Sequence, residues 1–154
     1  MPSTKARWAS TKITMIGSII SNVPAICNVV ERAPVQRGEL GQWAIWTRTA
    51  VSLLGQAHLA RAGDPAALAT LLARSNGYVD ANGAVFDVAH AFAGSVPGIN
   101  EILFRQGILR SALCLDPSET LGPGQAAELD RVCAAYPWLL DDEFVAEHRD
   151  EWLA

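Results

Sequence analysis

From position 42 onward, apolar residues recur at spacings of three and four, the period of helices with one buried face. Trp43, Trp46, Ala50, Val51, Leu54 and His58 mark the first helix, from Gln42 to about Gly63. Asp64 is placed to cap the next helix, with Pro65 at its first position, where a missing N–H costs nothing. Leu68, Leu71 and Leu72 give that helix its face, and Asn76-Gly77 predicts a break. A third helix is expected from Asp80 to Phe92, lined by Val85, Phe86, Val88, Ala89 and Phe92 and ended by Gly94-Ser95. Pro97 opens a fourth, faced by Ile99, Ile102 and Leu103, with Gly107 suited to its C-terminus. Leu113–Leu121 reads as a loop with a turn at Asp116-Pro117. Gly122-Pro123 starts a fifth helix, with Ala126, Leu129, Val132 and Cys133 buried and Pro137 as its stop. The sixth begins at Asp141, with Asp142 and Glu143 where the helix dipole favours negative charge, and Phe144, His148 and Trp152 follow at intervals of four.

Before position 42 the pattern changes. Residues 1–12 are polar, Ile13–Ile20 suits a short strand, Asn22-Val-Pro24 turns, and 31–41 carries Pro34, Gly38 and Gly41 as a loop. Lys5, Arg7 and Lys12 precede an uncharged run from Ile13 to Val30, the outline of an export signal. Ser18, Ser21, Asn22, Pro24 and Asn28 interrupt that run, which argues against a bilayer span and favours a buried segment. The chain thus divides into an N-terminal segment, 1–41, and a helical region, 42–154. The fold class expected is mainly α, with at most a short strand near the N-terminus.

Composition sharpens this. The chain has 154 residues, half of them apolar and 18% charged, enough for one domain with a core. The net charge of −4 and the scattered basic residues give no phosphate-tracking stripe, so no nucleic-acid partner is expected, and no membrane partner either. Cys27, Cys114 and Cys133 are odd in number, widely spaced and free of any CxxC pair. That speaks against a disulfide framework or a zinc site and fits a reducing cytoplasm.

Candidate chemistry is sparse. His58, His90 and His148 have no metal-ligand spacing, and packed or surface histidines explain them. No GxSxG elbow, phosphate loop or GxGxxG motif is present. Buried packing explains Cys114 and Cys133 better than nucleophilic roles. Asp80 and Asp87 lie two helical turns apart and are placed to share a face, and Asp141 and Asp142 suit helix capping. Tyr78-Val-Asp-Ala-Asn82 is a polar stretch, suited to a buried hydrogen-bond site or a subunit contact. The only lysines are Lys5, in a polar tail, and Lys12, bordering the apolar run. A Schiff-base lysine needs a water-poor pocket that keeps its amine neutral, and neither position offers one. No catalytic, cofactor-binding or metal-binding residue is assigned, and no cofactor is expected.

Val96-Pro-Gly-Ile-Asn-Glu-Ile-Leu-Phe-Arg-Gln-Gly-Ile-Leu109 resembles the late helix of the dihydrodipicolinate synthase/N-acetylneuraminate lyase family of class I aldolases. Cys114-Leu-Asp-Pro-Ser-Glu-Thr-Leu-Gly-Pro-Gly-Gln125, followed by Ala126–Ala135, is similar to that family's loop and final helix. Tyr136–Leu153 looks like the extension of a longer-tailed branch, and Ala60-Arg-Ala-Gly-Asp64 like the break after the helix following the eighth strand. The likeness covers roughly Val51 to Leu153. It implies a (β/α)8 barrel with extra C-terminal helices, a strand-end lysine forming an imine with a 2-oxo acid, a proton-relaying tyrosine, and assembly commonly as tetramers. Tyr78 and Tyr136 match neither catalytic role, and the lysine region lies upstream of the matched part. A barrel takes about 250 residues, more than the 154 here. The expectation is a C-terminal portion of a lyase of this family, not catalytic alone, that assembles as a homo-oligomer or with a partner half-barrel. The alternative is a stand-alone helical interaction domain.

Overall fold

The computed structural model describes residues 44–154, which form helices and loops with no strand among them. The strand expected near Ile13 and the helical start at Gln42 and Trp43 lie outside the described residues. Five α-helices follow in order: α1 Thr47–Arg61, α2 Pro65–Val85, α3 Ser95–Arg105, α4 Gln125–Ala135 and α5 Asp142–Trp152. Single 3-10 turns occupy Val88–His90 and Pro137–Leu139. The described residues fall into two compact units, 44–51 with 76–154, and 52–75.

In the smaller unit, the punctuation expected around position 64 is present. Asp64 Oδ1 accepts the N–H groups of Ala66 and Ala67 at 2.8 and 3.2 Å, satisfying two of the four donors that a helix start leaves open. Of the three leucines expected on one face, Leu71 is buried and Leu72 is exposed.

The break expected at Asn76-Gly77 does not exist, because α2 runs through it to Val85. Gly77 is there for a different reason. A Cβ at this position would lie 2.8 Å from the Tyr136 ring and 3.2 Å from Trp138, so the missing side chain lets two aromatic rings lie against the helix. The separate third helix expected over Asp80–Phe92 is therefore the end of α2 followed by a loop.

The core of the larger unit is built by Ile45, Val85, Phe86, Ile102, Leu129, Val132, Leu139 and Val145. In α4 the expected Leu129 and Val132 are buried, whereas Ala126 is exposed and Gln125 takes an inward place. α3 begins at Ser95, two residues before Pro97, and ends as expected. Gly107 has φ 74° and donates to Phe104 O, while Ile108 donates to Leu103 O, which closes the helix with a Schellman motif. Pro137 ends α4, and the Asp116 turn holds Ser118 through its carboxylate.

Two side chains far away in sequence finish helices that cannot finish themselves. Trp46 precedes α1, and its carbonyl accepts Ala50 N–H at 2.9 Å, but its side chain has no acceptor for the N–H groups of the first turn. Asp141 supplies one: its carboxylate accepts Arg48 N–H at 2.7 Å, Thr49 N–H at 3.1 Å and the Thr49 hydroxyl at 2.7 Å. At the other end of the pair, the last carbonyls of α2 are met by Gln125. Its Nε2 donates to Ala84 O, Val85 O and Gly94 O at 3.0–3.1 Å, and its Oε1 accepts Gly122 N–H at 2.9 Å.

Candidate functional site

The loop from Phe86 to Gly94 turns the chain from α2 into α3 in few residues, and its backbone is strained to do so. Asp87, Ala91 and Phe92 have φ values of 53°, 51° and 68°, in the left-handed region that costs a non-glycine residue about 1–3 kcal/mol. The Asp87 side chain holds the loop. Oδ2 accepts Gly94 N–H at 3.0 Å, and Oδ1 lies 2.6 Å from His90 Nδ1. Asp87 is 3% exposed and the His90 side chain 39%. The ring therefore spans from a buried carboxylate to the surface.

Outside this pair lies a groove of about 530 Å³. Asp80, Asp87, His90, Gln125, Glu128 and Arg131 supply its polar lining, and Ala84, Val88, Ala89, Pro123 and Ala127 its apolar walls. Gly122 borders the dyad closely, since a Cβ there would collide with the Asp87 carboxylate and lie 2.9 Å from His90 Nδ1. Asp80 and Asp87 were expected to share a helix face. They line one groove, but Asp87 lies past the end of α2, and each carboxylate has its own partner.

Asp80 receives a two-pronged bond from Arg131, at 2.8 Å to each oxygen, and the Tyr136 hydroxyl at 2.7 Å. Arg131 also donates to Glu128 at 2.9 Å. The guanidinium and then the tyrosine hydroxyl hold the Asp80 carboxyl at about 2, below its ordinary 3.8. A carboxylate with a depressed folded value stabilises the fold above its unfolded value and loses that contribution as pH falls. Stability should therefore decline between about pH 4 and about pH 2, and Asp80→Asn should flatten that part of the profile. The site is 38% exposed, so the effect is small and weakens with salt. Urea midpoints measured across this range for both proteins check it.

A second feature is apolar. Val96, Asn100 and Phe104 follow at intervals of four on α3 and share one face. Val96 and Phe104 are exposed, and between them Asn100 Nδ2 donates to Leu113 O at 3.3 Å and lies 3.5 Å from Cys114 Sγ. That bond sets the loop beside the helix face, and on this loop Leu113 is 82% exposed and Leu115 fully exposed. Exposed apolar side chains thus lie both on the α3 face that carries Asn100 and on the loop that Asn100 meets.

The other residues singled out from sequence play structural parts. His58 lies exposed near the C-terminal end of α1. His148 stacks on Trp152 and tilts against Phe144, with ring centroids 5.6 and 4.4 Å away, and its Nδ1 is 2.9 Å from Phe144 O. Arg48 sits over Phe144 at 4.8 Å. Burial, chiefly, pushes the thiols of Cys114 and Cys133 upward, the opposite of what a nucleophile needs. Tyr78 is pushed up to about 12 by burial. In the Tyr78–Asn82 stretch, Asn82 is buried and Asp80 faces Arg131. Asp141 caps α1 instead of its own helix, and Asp142 accepts Gln106 Nε2 at 2.9 Å. Lys5, Lys12 and Cys27 lie outside the described residues. Sequence reading passed over Gln125 and Arg131 because no local pattern marks a residue whose partners are about 30 to 50 positions away.

Among the described residues no group of three or more His, Cys, Asp or Glu is arranged to hold a metal, and no helix is long and apolar enough to cross a membrane. Neither a family model, a curated protein nor a solved structure matches this chain.

Proposed function

We propose that this chain is a helical assembly piece related to the C-terminal portion of the dihydrodipicolinate synthase/N-acetylneuraminate lyase family, and that it contributes an association surface and no imine-forming residue. The observation that carries the reading is the exposure of Val96 and Phe104 on the α3 face that carries Asn100, and of Leu113 and Leu115 on the loop that Asn100 meets. Such a surface gains by being covered: at about 25 cal/mol per Å², burying each large side chain is worth on the order of 1.5–3 kcal/mol. A second copy of the chain is the occupant proposed, in line with the oligomers that the resemblance implies.

The helix-loop-helix punctuation behind the resemblance gives support. α3 closes at Gly107, the segment 108–124 forms the loop, and α4 follows up to Pro137. No lysine stands among the described residues, since Lys5 and Lys12 are the only two in the chain. Incubating the full chain with pyruvate and borohydride, then measuring intact mass, tests the second half of the proposal. The mass should not change. A reduced pyruvate adduct on Lys12 would mean that the chain forms the imine by itself and would overturn it.

A further inference from the structure

We infer that Asp87 and His90 form a general-base dyad serving the groove beside them, with His90 Nε2 as the base, water as the nucleophile and a small carboxylic ester as the substrate class. This goes beyond the assembly role and does not rest on it.

An ionised carboxylate only accepts hydrogen bonds, so Asp87 Oδ1 at 2.6 Å requires the proton of neutral His90 to be on Nδ1. The other oxygen cannot relax that requirement, because Oδ2 is occupied by the buried Gly94 N–H at 3.0 Å. Nε2 then carries the lone pair, on the side of the ring away from the buried aspartate, in a residue that lines the groove. A buried carboxylate orienting a partly exposed imidazole is the arrangement of a general base. The Asp87 bonds to Gly94 and His90 hold the loop in its left-handed turns at Asp87, Ala91 and Phe92.

The lining decides how such a base is used. Among the groove residues there is no Ser, Thr, Cys or Lys. With no hydroxyl, thiol or amine nucleophile lining the groove, water is the nucleophile proposed, activated by His90. His90 Nε2 takes a proton from water as the water oxygen bonds to the ester carbonyl carbon. The carbon–oxygen bond to the alcohol then breaks, and the imidazolium returns its proton to the departing alkoxide. The sum is ester plus water giving acid plus alcohol. The short apolar walls of Ala84, Val88, Ala89 and Ala127 suit a small acyl group.

His90 is the catalytic residue and Asp87 a positioning residue, and Asp87→Asn separates their roles. Asparagine has one acceptor and one donor end. If its oxygen keeps the Gly94 N–H, its amide donates to Nδ1 and forces the proton of His90 onto Nε2, which removes the base without emptying the site.

The experiment uses the full chain and p-nitrophenyl acetate, with the buffer rate subtracted and free imidazole at equal concentration as reference. The wild-type chain should exceed imidazole and saturate. His90→Gln should lose about 100-fold in rate. Asp87→Asn should lose about tenfold or more in kcat with KM unchanged. Nitrogen-15 NMR of the histidines should place the His90 proton on Nδ1 in the wild type and on Nε2 in Asp87→Asn. The tautomer in the wild type needs no variant to fold, so it decides by itself if either substitution unfolds the chain. A wild-type His90 protonated on Nε2, a wild-type rate no greater than imidazole, or a folded His90→Gln with undiminished rate would each overturn the inference.

Discussion

Gly98→Ala is expected to destabilise the chain by about 3 kcal/mol, at the upper end of what overpacking costs. α3 crosses the end of α2 at this residue. An added Cβ would collide with the backbone carbonyl oxygen of Val85 and lie 2.7 Å from Gln125 Nε2. A flexible side chain could swing away from such a contact, but Val85 O cannot. It is a terminal carbonyl of α2, and it is itself bonded to Gln125 Nε2 at 3.1 Å. Moving it breaks its bond to Gln125, whereas Ala84 O and Gly94 O also accept the N–H groups of Asp87 and Gly98, so the cost stays at that upper end. Thermal melting of the full chain should show Tm lower by roughly 10 °C. Gly83→Ala is the control, since nothing lies within 4 Å of its added Cβ and it is in the same helix as Val85.

Asp141→Ala has the second largest expected effect, a loss of about 2–3 kcal/mol. The carboxylate meets the backbone N–H groups of Arg48 and Thr49 and the Thr49 hydroxyl, which is the work of an N-cap side chain done from 92 residues away. Hydrogen bonds to a charged group contribute about 1.5–3 kcal/mol, and an empty site would leave N–H donors of a partly buried helix start unpaired. The start of α5 should not suffer, because Asp141 makes no side-chain cap to its own helix. Asp141→Asn keeps one acceptor and should lose about 1 kcal/mol. Urea denaturation of the three proteins gives the order, and hydrogen exchange should place the added opening at Arg48 and Thr49.

These two residues mark where the sequence was and was not legible. Signals that act within a few positions could be read directly. Asp64-Pro65, Gly107, Asp116-Pro117 and Pro137 each end or begin an element through their own backbone or nearest neighbours, and the structure has them in those roles. The mainly helical class follows from the same periodicity. Asn76-Gly77 misled because glycine has two uses, and here a close approach of Tyr136 and Trp138 decides, not a turn. Asp141 was placed at the right boundary, but its carboxylate serves another helix. Gln125 reads as an ordinary polar residue at a helix start, and only the convergence of α2, α3 and α4 gives it its partners. In the groove, His90 reads as one more histidine beside apolar positions. Its pairing with Asp87 depends on a left-handed turn at Asp87 that no periodicity announces.

The proposed assembly role rests on the exposed apolar side chains of the α3 face that carries Asn100 and of the loop that Asn100 meets, and sedimentation velocity tests it most directly. The full chain should be run over a range of concentrations beside a Leu113→Asp, Leu115→Asp variant. Both side chains point into solvent, so the variant should keep its fold, as far-UV circular dichroism would verify. The wild-type chain should sediment faster as concentration rises, and the variant should stay a monomer throughout. Indistinguishable sedimentation of the two proteins at every concentration would contradict the assembly role.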